Sequence, residues 1–145
     1  MPSQTFTHSS STSATIEEVW AALDRPETWE AIGGVDRVFD AAMDEEGRLQ
    51  GFSFETVAGG KSYTGVASPH RRVEGETMAW NVKSSEIRGI TEVDLDGDGE
   101  TTTVTVTLHV ESAGLLSAMF FPVIAGAIGK GLPGAVDGFV SGLAD

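Results

Sequence analysis

Any acid/base pair at work in a pocket of this protein would have to come from His8, Glu55, Tyr63 or His70, and nothing in the sequence shows that they project into one. A neutral imidazole can hydrogen-bond a ligand or act as a base near neutral pH. His8 shares strand parity with Phe6 and could point inward, although a hydrogen-bonded structural histidine is the more frequent reading of such a residue. His70 follows Pro69 beside Arg71 and Arg72, which reads as a solvated rim. His109 alternates against Val104, Val106 and Leu108 and is expected to face solvent. No two of the three histidines are four residues apart, and no metal site is expected.

Three apparent motifs lack the rest of their machinery. Asp94, Asp96, Asp98 and Gly99 imitate the start of a calcium loop, but its last ligand position is Thr105 and strands flank it where helices should. Gly60-Lys61-Ser62 resembles the end of a phosphate loop, yet Glu55 stands at the required first glycine and no helix follows. Ser53, in Gly51-Phe52-Ser53-Phe54-Glu55, lacks the second glycine and the helix of an esterase elbow. The first two read as turns, and a catalytic residue stays unassigned.

Composition narrows the partners. A formal charge of −13 opposes nucleic acid, which is bound through Lys and Arg. It also disfavours anionic membrane surfaces, and it fits a protein adapted to high salt. The absence of cysteine removes disulfides, thiol catalysis and thiolate metal sites, and no cofactor is expected. Residues 1–12 show neither a basic start nor an apolar stretch, so the expectation is a cytoplasmic protein without a signal peptide. The 145 residues fit one globular domain.

Any pocket chemistry must be positioned by the surrounding elements. Thr15 and Glu18 form a capping box ahead of Ile16, Val19, Trp20 and Leu23, predicting a short helix ended by Pro26. A second helix is expected over 27–32, closed by Gly33 and Gly34. A weak strand precedes both, over 4–11. Six more are predicted over 35–43, 48–57, 61–69, 77–85, 86–95 and 101–111, separated by Gly- and Asp-rich turns.

The segment from Ala113 to Ala144 is the longest apolar one. In its second half Lys130, Asp137 and Ser141 fall on one helical face and Leu132, Val136, Phe139 and Leu143 on another. Pro122 and Pro133 predict breaks. Its glycines leave little bulk against a facing sheet, so the wall could approach closely or leave a space. Gly134, Gly138 and Gly142 also have the spacing of a close helix contact. Lys130 and Pro133 argue against a membrane span, which needs about 20 mostly apolar residues, and integral insertion is not expected. A sheet with one dry face must be covered, and this segment is the only element long enough.

The expected fold class is therefore α+β: a curved antiparallel sheet of seven strands around a long C-terminal helix, with two short helices after the first strand. The stretch Ser13-Ala14-Thr15-Ile16-Glu17-Glu18-Val19-Trp20, followed by Leu23, Asp24, Pro26 and Trp29, resembles the opening of the helix-grip (SRPBCC) superfamily of START, Bet v 1 and polyketide cyclase/dehydrase-like domains. The resemblance spans essentially residues 1–145 as a single domain. Ile32-Gly33-Gly34-Val35, Tyr63-Thr64-Gly65 and Arg88-Gly89-Ile90-Thr91-Glu92-Val93-Asp94-Leu95 are similar to the branch of this superfamily named after carbon monoxide dehydrogenase, which usually carries proline where Gly33 stands.

The resemblance implies a hydrophobic cavity between sheet and long helix that takes lipids, quinones or polyketide-like molecules. The residues nominated to line it are Phe52, Phe54, Tyr63, Trp80, Val82, Met119, Phe120, Ile124 and His8, against the plainer reading that aromatic and Met stripes are core. Three functions compete. The first is binding or carriage of a hydrophobic small molecule, and the second a cyclase or dehydratase using an acid/base residue in the same cavity. The third is a module docking on a membrane or partner through the C-terminal segment, and a homodimer is left open.

Overall fold

The structure is a computed structural model that describes residues 3–32, 35–58, 60–84, 87–112, 126 and 130–143. Seven strands build one antiparallel sheet: β1 (Ser3–Thr12), β2 (Arg37–Met43), β3 (Leu49–Ala58), β4 (Lys61–Val73), β5 (Thr77–Ser84), β6 (Ile87–Gly97) and β7 (Thr102–Ser112). Their spatial order is β1-β7-β6-β5-β4-β3-β2. Each strand after β2 pairs with its predecessor through a short connection, the cheapest way to build a sheet. The first strand crosses over to close against the last.

Helix α1 (Ile16–Leu23) starts as the sequence predicts. Glu18 N–H donates to Thr15 Oγ1 at 3.1 Å and Thr15 N–H donates back to Glu18 Oε1 at 3.3 Å, satisfying two N-terminal donors reciprocally. Pro26 opens α2 (Pro26–Ile32), where a missing N–H costs nothing. Thr28 Oγ1 and Trp29 Nε1 reach back to the carbonyls of Ala22 and Leu23 at 2.6 and 2.7 Å, locking the α1–α2 corner. Gly33 and Gly34 lie outside the described residues.

The C-terminal helix α3 (Leu132–Leu143) begins after a turn at Gly131, so Pro133 sits in its first turn, where proline is tolerated. It buries Leu132, Val136 and Val140, half-buries Phe139 and Leu143, and packs on β1 and α2. Lys130 and Ser141 are exposed, as their helical face predicts. The glycines behave differently from expectation: a Cβ placed at Gly134, Gly138 or Gly142 would meet nothing within 4 Å among the described residues. They lie on the open side of α3, so they neither draw the sheet close nor leave room beside it. Pro122 lies outside the described residues.

Strand β4 runs four residues beyond its predicted end at Pro69, to Val73. A bulge between Pro69 and Arg71 absorbs the proline's missing donor and shifts the register. That shift changes which way the basic pair points. Arg71 is exposed, while Arg72 pairs with Met78 and turns toward Asp24 at the end of α1.

Candidate functional site

Register assigns the inner face row by row. Phe6, Leu108, Thr91, Trp80 and Pro69 are consecutive cross-strand partners from β1 to β4, and Gln4, Val110, Gly89, Val82, Ala67 and Phe52 form the next row. His8 and Phe6 share this face with Val106 and Leu108. Of the nominated residues, Phe52, Phe54, Tyr63, Trp80, Val82 and His8 all lie on this one face, while Met119, Phe120 and Ile124 lie outside the described residues.

An aromatic group occupies the end near α2. Phe52 and Trp80 meet edge to face with centroids 5.4 Å apart, Trp29 stands edge-on to Trp80 at 5.9 Å, and Trp29 stacks on Phe52 at 6.4 Å. Such pairs contribute roughly 0.5–1.5 kcal/mol each beyond the area they bury. In the sequence Trp29 stands out only by its place in a family pattern. Its proximity to Phe52 and Trp80 depends on the α1–α2 corner, which no local spacing reveals.

Two apolar clusters divide the inner wall. One gathers Trp29, Phe52, Phe54, Trp80, Val93, Val104 and Val106 with the buried faces of the helices. The other gathers Ile87, Leu108 and Val110, with Phe6 and Tyr63 packed against it. Thr91 lies between Trp80 of the first and Leu108 of the second. It is a polar residue in the middle of a dry wall.

Two glycines on this wall are required by close approach. A Cβ at Gly65 would lie 2.6 Å from the Phe54 ring and 2.5 Å from the Lys83 carbonyl oxygen, and one at Gly89 would lie 1.9 Å from the carbonyl oxygen of His109. Gly65 lets Phe54 lie flat across β4. Gly89 lets β6 approach β7.

Among the described residues, charged groups are few on the inner face. His8 Nε2 lies 2.9 Å from Asp137 Oδ1 of α3; a carboxylate oxygen only accepts, so Nε2 is the donor. Hydrogen bonds from His8 and Ser10 hold the Asp137 carboxyl below its usual range. Arg72 donates two hydrogen bonds to Asp24, at 2.8 and 3.0 Å, and a third to Glu74 at 2.8 Å. Trp20 Nε1 also donates to Glu74, at 2.6 Å. Arg72 is therefore a structural ion-pair residue and not part of a solvated rim; His70 and Arg71 are exposed as expected.

The remaining titratable candidates lie elsewhere. Glu55 faces outward with Arg37, its cross-strand partner. His109 is half-buried on the outer face and shares a 2.7 Å hydrogen bond with Thr5 Oγ1, so it is partnered where free solvation was expected. Asp98 Oδ1 accepts from the N–H groups of Glu100 and Thr101 at 3.0 and 2.8 Å, which makes the calcium-like run a hairpin turn. Two concavities among the described residues lie off the inner wall. One of about 260 Å³ sits between the start of α1 and the β6–β7 hairpin, and one of about 300 Å³ lies on the outer face around Lys83, Arg88 and His109.

The geometry has counterparts. A START superfamily protein from Mycobacterium smegmatis superposes with a TM-score of 0.71 at 15% identity, over 96% of this chain and 98% of that one. The Zhui aromatase/cyclase from Streptomyces sp. R1128 gives 0.70 at 11% identity, over 97% and 94%. A ginseng major latex-like protein from Panax ginseng gives 0.55 at 12% identity, over 95% and 97%. These likenesses establish the helix-grip fold. No curated protein matches the chain. The family model described as "Polyketide cyclase / dehydrase and lipid transport" matches residues 3–145, a description that does not single out the carbon monoxide dehydrogenase branch. With the whole described sheet, all three described helices and the inner wall inside that match, the chain belongs to the polyketide cyclase / dehydrase and lipid transport family of the helix-grip superfamily.

Proposed function

We propose that this protein binds and carries a hydrophobic small molecule between the inner face of its sheet and its C-terminal segment. The observation that carries this reading is the wall from Phe6 to Phe52: aromatic and aliphatic side chains on one continuous face, with Thr91 set among them. The family description, which includes lipid transport, supports the same class of ligand. Phe52, Phe54, Tyr63, Trp80, Val82 and His8 are the proposed contacts, together with Met119, Phe120 and Ile124, which the sequence nominates. The test is organic extraction of gently purified protein followed by mass spectrometry, alongside titration with apolar probes. A retained lipid, quinone or polyketide-like molecule, or saturable probe binding, supports the carrier. If nothing is retained and no probe binds, the carrier is overturned.

One observation favours a second reading, a cyclase or dehydratase. His8 is oriented by a carboxylate, the arrangement that fixes a general base, and in a neutral imidazole protonated at Nε2 the other nitrogen, Nδ1, is the one that accepts a proton. In a dehydration it would take a proton from the carbon beside a carbonyl and return it to the departing hydroxyl, which leaves as water. The Zhui aromatase/cyclase shares the fold, which is consistent with this chemistry without requiring it. Incubation with a β-hydroxy ketone of polycyclic type, comparing wild type with His8→Gln, separates the readings. Product formation lost on substitution supports the enzyme, and no product from wild type leaves the carrier.

A further inference from the structure

We infer that Trp80 and Thr91 form a polar anchor in the inner wall that selects apolar ligands bearing a neutral carbonyl or hydroxyl oxygen over hydrocarbons of the same shape. This rests on the inner-wall binding proposed above and specifies the ligand's chemistry. Trp80 and Thr91 are direct cross-strand partners on β5 and β6, a placement that sets Cβ atoms roughly 4.5–5.5 Å apart on one face. Each residue is only 2% exposed, and neither Trp80 Nε1 nor Thr91 Oγ1 has a hydrogen-bond partner among the described residues.

Buried polar groups are almost always paired, because leaving one unpaired forfeits its hydration without return. Elsewhere this chain observes the rule for the same side-chain type: Trp20 Nε1 donates to Glu74 and Trp29 Nε1 donates to the Leu23 carbonyl. Two unpaired groups on adjacent strands, both on the inner wall, are a local exception with a chemical direction. An indole N–H only donates, whereas a threonine hydroxyl donates and accepts. Each complements a neutral oxygen. A carbonyl or hydroxyl oxygen accepts from the Trp80 N–H, and the Thr91 hydroxyl donates to a carbonyl or accepts from a ligand hydroxyl.

The surroundings oppose charged alternatives. A carboxylate there would want a cation, and the inner-face guanidinium of Arg72 is committed to Asp24 and Glu74. An ammonium would meet the donor edge of the indole. The occupant is therefore an apolar skeleton with a neutral oxygen, such as a phenol, an alcohol, a ketone or a quinone.

The test is calorimetric titration of the full chain with tetralin and 1-tetralone, which share a bicyclic skeleton and differ by one carbonyl. Wild type is expected to bind tetralone more tightly even though water solvates the ketone better. Thr91→Val should weaken tetralone about 10-fold and leave tetralin within about twofold, the loss of one hydrogen bond, and Trp80→Phe should lower the preference for tetralone over tetralin by about the same factor. Because valine matches threonine in shape and removes the unpaired hydroxyl, Thr91→Val should also raise the thermal midpoint, by about 3 °C. If both probes bind and their affinity ratio is the same in wild type and both variants, the anchor is overturned and the carrier reading stands. If neither probe binds any form, the inner-wall binding itself fails and takes the anchor with it.

Discussion

Asp24 ends α1 and joins three separate parts of the chain. Its carboxylate accepts from both terminal nitrogens of Arg72 on β4 and, at 3.1 Å, from the backbone N–H of Leu49 at the start of β3. The Asp24 and Arg72 side chains are 17% and 22% exposed, so the pair is only partly screened by solvent. Removing one member leaves the other partly buried without its main partner. Asp24→Ala is expected to cost about 2 kcal/mol in urea unfolding, and a loss near zero would show the pair to be decorative. The sequence concealed this contact because Asp24 and Arg72 are 48 residues apart and the bulge at Pro69 sets the orientation of Arg72. A second residue-scale effect has the opposite sign. The Glu92 carboxyl is held above its usual range by a hydrogen bond with Asp94 that needs the proton, then by burial, then by repulsion from Asp94. A raised carboxyl destabilises the fold as pH climbs from the unfolded-state value through the folded one. Glu92→Gln should therefore stabilise the protein at neutral pH, and the gain should vanish below the unfolded-state value; a gain independent of pH would contradict the assignment.

At the scale of elements, α3 separates what its sequence pattern conveyed from what it did not. The dry face, Leu132, Val136, Phe139 and Leu143, is legible because helical spacing and hydrophobicity alone determine it, and all four are buried or half-buried. The glycine spacing suggests a contact stripe, yet that face looks outward. Glycine carries no hydropathic direction, so its spacing could not say which way it faced. Paired substitutions measure the difference. Val136→Ala, at a fully buried position, should cost about 2 kcal/mol. Gly138→Ala, where the new methyl meets nothing among the described residues, should gain about 0.5–1 kcal/mol through helix propensity. A destabilising Gly138→Ala would mean that this face is covered by a partner after all. On the sheet, alternation in β7 marks its inner face as Val104, Val106, Leu108 and Val110, and the structure buries all four. The unpaired state of Trp80 and Thr91 was beyond the reach of any such pattern, since it depends on what three strands and a helix corner leave around two atoms.

For the molecule as a whole, the order of strands and helices was legible because turn residues punctuate nearly every connection and the capping box marks α1. The candidate site was legible only strand by strand: parity grouped His8 with Phe6, Phe52 with Phe54 and Trp80 with Val82, while the convergence of Trp29 with Phe52 and Trp80 required the tertiary fold. A formal charge of −13 acts on the entire surface. Self-repulsion among carboxylates weakens when salt screens it, so the thermal midpoint is expected to rise between low and molar salt, and an unchanged midpoint would remove the proposed adaptation to high salt. The inner-wall claim can be read directly from the indole N–H resonances of the three tryptophans during titration with an apolar ketone. Trp80 and its neighbour Trp29 should shift saturably while Trp20, tied to Glu74 at the α1 end, stays in place. Saturable binding that leaves Trp80 unmoved would contradict a ligand on this wall.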